Sequence, residues 1–196
     1  MQERSPLQEE TDYKPNDDIL DDANYYIDTG KGGVDNLIDE EMSEPELMFL
    51  VKDDSEATAL LKKCSKWANE GNWTTMKNYL ESIVDNLSLS QTEGIPNEKS
   101  FVKCFYKGVC NFRTKEDQES LSNFIAAQKI HQHYQINYNI ALCYIKLNNL
   151  ENAVFYLEAV TKKNRNFFFA YYNLIKIYLN TNTIYDAFLI SRDFRG

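Results

Sequence analysis

Asp28-Thr29-Gly30 is the triplet that carries a catalytic carboxylate in aspartic proteases. That chemistry needs two carboxylates sharing one site, yet the 196-residue chain holds a single copy with acidic flanks. The adjoining Gly30-Lys31-Gly32-Gly33 has the composition of a phosphate-cradling loop. It lacks the spacing that ends in Gly-Lys-Ser/Thr, so it reads as a hinge. His131 and His133 are the only histidines. A metal would need further ligands, and none stands nearby at a matching spacing. They read as a solvated or helix-capping pair, and with so few histidines no nucleophile and base can be assembled. Cys64, Cys104, Cys110 and Cys143 show no paired metal motif and read as reduced core residues. Lys162-Lys163-Asn164-Arg165 is a short basic cluster, explained by the attraction of a helix C-terminus for cations. RNA binding is its sharper reading, but phosphate affinity rests on a broad basic surface that the sequence does not supply. The residues therefore favour no catalytic, cofactor-binding or metal-binding set, and neither a nucleic acid nor a small molecule as the main partner.

What the chain does carry is an internal echo. Tyr138-Asn139-Ile140-Ala141 returns 34 residues later as Tyr172-Asn173-Leu174-Ile175. The same offset pairs Tyr144 with Tyr178, Asn148 with Asn182, Leu150 with Ile184 and Ala153 with Ala187. A repeat of this period denotes stacked helix–turn–helix units, which build extended surfaces rather than a pocket for chemistry. Within one copy, Ile136, Ile140, Leu142, Tyr144 and Leu147 recur at helical spacing, and Ala153, Leu157 and Val160 resume it after Asn148-Asn149. Asparagine tolerates the left-handed conformation that ends a helix. The next copy turns at Asn180-Thr181-Asn182-Thr183.

On these residues the segment from Tyr134 to about Arg165 resembles a tetratricopeptide repeat, and Phe168 onward resembles a second. Ile140, Ala141 and Tyr144 fill the large, small and aromatic places of the family's first helix. Asn148, Leu150, Ala153, Leu157 and Val160 match its turn and second helix. Ala141 and Ala153 would let the helix backbones approach closely, where larger side chains would overpack. Ile175 and Phe194 depart from the family's small residues, which predicts looser or tilted packing in the last copy. Two weaker copies lie upstream. Leu60, Cys64, Trp67, Gly71-Asn72-Trp73, Leu80 and Ile83 fit one, and Phe101, Phe105, Gly108, Phe112, Phe124 and Ala127 fit the other. With starts at Ala57, Phe101, Tyr134 and Phe168 the offsets are 44, 33 and 34, placing an insertion near residues 88–97. The expected fold is all-α: a short right-handed tetratricopeptide-like superhelix of about four repeats over residues 51–196.

Residues 1–50 are of another kind. They hold fifteen Asp/Glu against three Lys/Arg, whereas residues 51–196 hold fifteen against eighteen, so the net charge of −9 arises entirely in the first quarter. High charge with little apolar surface predicts a largely disordered acidic arm. Its apolar clusters, above all Leu47, Met48, Phe49 and Leu50, could anchor it on the repeats as a self-cap. Neither a signal peptide nor an apolar run long enough to span a bilayer is visible, which points to the cytoplasm or another reducing space. The sequons at Asn72 and Asn86 are then unused.

In the family the first helix of each pair lines the concave groove. By position this lining would include Phe105, Val109 and Phe112, then Tyr138, Asn139, Leu142 and Ile145, then Tyr172, Asn173 and Lys176. Such an apolar, aromatic groove suits a partner peptide or helix, while the same stripe could equally be packing between helices. The resemblance implies a non-enzymatic adaptor or structural subunit of a multi-subunit complex, with a ciliary or cytoskeletal setting suggested by the family's breadth there.

Overall fold

The computed structural model describes residues 44–83 and 98–195. Among them are nine helices and no strand. A short α1 (Glu44–Val51) precedes four antiparallel pairs: α2 (Ser55–Asn69) with α3 (Trp73–Ser82), α4 (Glu98–Arg113) with α5 (Asp117–Ile130), α6 (Tyr134–Lys146) with α7 (Leu150–Lys163), and α8 (Phe168–Asn180) with α9 (Ile184–Arg195). The acidic residues 1–43, with the Asp28 and Gly30 motifs, and the insertion near 88–97 lie outside the described residues. The segment assigned to the arm ends in a helix: α1 starts at Glu44 and packs on α2 and α4, burying Leu47 and Val51.

One turn is used four times. Gly71, Lys115, Asn148 and Asn182 have φ of 69°, 64°, 54° and 58°. In each case the amide of the next residue reaches back to the final turn of the preceding helix: Asn72 N to Trp67 O, Glu116 N to Asn111 O, Asn149 N to Tyr144 O and Thr183 N to Tyr178 O, at 2.8–2.9 Å. This pattern satisfies carbonyls that a helix end leaves bare. The four residues are spaced by 44, 33 and 34, the offsets of the repeat itself. Only at Lys115 does a side chain without turn propensity adopt the left-handed conformation.

Small residues set the approach of helices within a pair. Gly108 on α4 faces the Phe124 ring of α5, and its carbonyl accepts a 2.8 Å hydrogen bond from the Ser120 hydroxyl. Ala141 and Ala153 are fully buried, as the resemblance implied. Aromatic pairs twelve residues apart close the first and third pairs, with Trp67 edge-on to Tyr79 and Tyr144 stacked on Tyr156 at centroid distances of 5.2 and 5.7 Å.

Between pairs, the first helices are tied in series. Ser65 and Tyr106 share a 2.9 Å hydrogen bond from α2 to α4. Lys146 on α6 donates to the Phe112 carbonyl at 3.4 Å and lies 3.6 Å from the Phe112 ring centroid. Asn173 on α8 donates to the Tyr138 hydroxyl at 3.1 Å. On the other side, Lys77 of α3 binds Glu116, the residue capping α5. Together with the Thr114 hydroxyl, that ammonium lowers the pKa of the exposed Glu116 carboxyl. The last pair is packed most openly: Ile175 is half-buried and Phe194 is exposed, although its ring meets Phe168 and Tyr171.

Candidate partner-binding surface

The first-helix stripe changes character along the stack. Phe105, Val109 and Phe112 on α4 are buried, as are Tyr138, Asn139 and Leu142 on α6. The open lining expected at these six positions is thus closed. Phe105 contacts Phe101, Tyr106 and Phe124 with centroids 5.5–6.1 Å apart, and Tyr138 packs edge-on against Phe167 at 4.9 Å. Aromatic rings at helical spacing are here part of the core, because each has neighbours on several elements.

At α8 the same stripe opens. Tyr172 and Lys176, the equivalents of Tyr138 and Leu142, are half-buried, and Leu179 is 43% exposed. Ile145, near the end of α6 and the counterpart of Leu179, is half-buried. Asn173 is buried and occupied by Tyr138, whereas the buried Asn139 amide nitrogen and Gln135 side-chain oxygen have no hydrogen-bond partner. A buried amide without a partner is costly.

The remaining candidates take structural places. Leu47 is buried, Met48 and Leu50 are half-buried, and Phe49 faces out with the Lys52 ammonium 5.0 Å from its ring. The anchor cluster thus belongs to the helical unit through Leu47. Lys162 and Lys163 occupy the last turn of α7, where the helix dipole favours cations, and Lys162 is 3.5 Å from Glu158. The Nδ1 of His133 accepts from the Gln135 amide at 3.4 Å, capping α6, and His131 sits at the end of α5 against Phe101. Cys64, Cys110 and Cys143 are buried, Cys104 is half-buried, and none of the four is in a disulfide. Burial pushes the Cys64 and Cys143 thiols up to about 12, the state of inert core cysteines. Among the described residues, no three His, Cys, Asp or Glu side chains converge as a metal site, and no helix is long and apolar enough to cross a membrane.

One exposed group escaped the reading of the sequence. Ile184, Tyr185 and Phe188 on α9 are 65%, 71% and 52% exposed. The signal was present in the register: the place of Tyr185 is held by Thr74, Gln118 and Glu151 in the other pairs.

Four helix pairs with the same left-handed turn define a tetratricopeptide-like helical repeat fold. A solved structure described as "Crystal structure of MamA" is similar, with a TM-score of 0.59 at 17% identity, covering 88% of this chain and 91% of that one. At that identity the likeness is one of fold. No family profile matches the chain, and no curated protein sequence matches it.

Proposed function

We propose that this chain is a non-enzymatic adaptor or structural subunit of a larger assembly, holding a partner peptide or helix on its first-helix face. The observation that carries this reading is the opening of the stripe at α8, where Tyr172, Lys176 and Leu179 are accessible. The partner seats against these side chains and Ile145. The inner stripe, from Phe105 to Leu142, Asn139 included, is buried and serves as its rigid backing. Core cysteines outside any disulfide support a reducing compartment such as the cytoplasm. No feature of the described residues favours a ciliary or cytoskeletal assembly over another.

The test is capture of partners by the tagged full-length protein from its native source, beside a Tyr172→Ala/Lys176→Glu variant checked for helicity. Both side chains are only half-buried, so the variant keeps its fold. Loss of a stoichiometric protein partner in the folded variant supports the reading. A partner retained unchanged removes the face from consideration. RNA recovered without protein, and lost on neutralising Lys162, Lys163 and Arg165, would replace the adaptor by an RNA-binding protein.

A further inference from the structure

The outer face of α9 stands apart when compared through the repeat register. The place of Ile184 is held by Trp73, Asp117 and Leu150, each half-buried. The place of Phe188 is held by Lys77 and Val154, half-buried, and by Leu121, buried. In those pairs the first helix of the following pair packs alongside, as α8 does on α7. On α9 both positions are exposed. The place of Tyr185 behaves differently, since Thr74, Gln118 and Glu151 are all polar and all exposed despite a following pair. A further pair added in register would therefore cover Ile184 and Phe188 and leave Tyr185 in water. The apolar strip is wider than stack continuation requires.

Its order along the helix is self-complementary. Tyr185 and Arg192, both exposed, are seven residues apart and so share one face. Their midpoint falls between Phe188 and Leu189, about 5 Å from each at 1.5 Å per residue. When two copies of α9 run antiparallel through that midpoint, Phe188 and Leu189 meet their symmetry mates. Each Arg192 guanidinium then lies over the other copy's Tyr185 ring, a favourable cation–π arrangement. Ile184 falls opposite Asp193 of the other copy, at the rim. Such a two-fold contact uses one patch twice and closes on itself.

We infer that the exposed face of α9 is an isologous self-association surface, on which a second copy of this chain packs its own α9 antiparallel. The occupant is the second copy because the Tyr185–Phe188–Arg192 order is complementary to its own reverse, each arginine meeting the other copy's tyrosine. Nothing in the first-helix stripe takes part, so self-association leaves the adaptor face free and makes the assembly bivalent. With one helix from each side the contact lies at the small end of specific interfaces, below about 1,200 Å² in total. The dimer is accordingly concentration-dependent.

Sedimentation velocity on the purified full chain, from about 1 to 200 µM, spans the range in which so small a contact assembles. The expected result is a shift from monomer to dimer for the native protein, and its loss in Phe188→Glu, whose exposed position leaves the fold intact by circular dichroism. Arg192→Glu weakens the dimer, and a Leu189→Cys variant forms an intermolecular disulfide between its two new thiols under mild oxidation. A native protein that stays monomeric throughout overturns the inference. So does a dimer that survives Phe188→Glu, or a Leu189→Cys protein that dimerises without forming that disulfide. Because these readouts need no partner, they stand or fall independently of the adaptor reading.

Discussion

Replacing Gly108 by alanine tests whether close approach of α4 and α5 sets the second pair. In an ordinary helix interior the change stabilises by about 1 kcal/mol. Here the new Cβ would lie 2.8 Å from Phe124 Cδ1 and Cε1 and 3.0 Å from Cγ, well inside the roughly 3.5–4.0 Å of a favourable carbon contact. The ring has little room to shift, because Phe124 is buried and Phe105 packs edge-on to it with centroids 5.8 Å apart. Overpacking of this kind costs about 1–3 kcal/mol, so the expected net loss is about 1 kcal/mol. The third pair suggests the rescue: its equivalent residues, 33 positions on, are Ala141 and Leu157, both fully buried. Phe124→Leu alone should leave a small void and cost roughly 1–2 kcal/mol. Gly108→Ala/Phe124→Leu, which gives the second pair the third pair's residues, should lose less than the two single changes together, with a coupling of about 1 kcal/mol or more. Urea titration followed by circular dichroism reads these differences as midpoint shifts of about 0.5 M for the single Gly108→Ala variant. A midpoint that rises in Gly108→Ala, or losses that simply add in the double variant, would refute the argument.

Three further outcomes follow from the same geometry. Tyr138→Phe leaves the buried Asn173 amide without its acceptor and should cost about 1–2 kcal/mol in the same titration; an unchanged midpoint would show that the bond is replaceable. Lys115→Gly relieves a left-handed lysine with φ of 64° and should stabilise by a few tenths to about 1 kcal/mol, whereas destabilisation would mean that the side chain contributes more than the strain costs. The Cys64 and Cys143 thiols, pushed up to about 12 from 9.0 mainly by burial, bind their protons more tightly when folded. Their contribution to stability is complete below pH 9 and lost as pH rises from 9 towards 12. Mass-spectrometric labelling at about pH 8 should therefore find Cys104 modified first, and rapid labelling of Cys143 in the native protein would contradict its burial.

The repeat was legible because a stack imposes the same geometric demand at a fixed interval. Gly71, Asn148 and Asn182 announced three of the four turns through their tolerance of positive φ, and Ala141 and Ala153 announced a close crossing by their size. Lys115 gave no such local sign, since its conformation is imposed by the helices on either side. Its position follows only from the offsets of 44 and 33 to its counterparts. The helix at Glu44–Val51 was half legible: its apolar residues were noticed as anchors, but eight residues cannot show by themselves that they will be covered by α2 and α4.

The binding stripe divides the two kinds of information most clearly. Residue types and spacing alone determined that four helix pairs would form and that Phe105, Tyr138 and Tyr172 share one register, because periodicity follows from the fixed rise and turn of a helix. Which of them meets solvent was decided only by the tertiary structure. Exposure depends on what neighbouring elements bring to each face, so the same register position is closed by Phe101 and Phe124 around Phe105, by Phe167 against Tyr138, and left half-open at Tyr172. The outer face of α9 obeys the same rule: Ile184 and Phe188 are exposed, whereas their counterparts in the earlier pairs are at least half-buried.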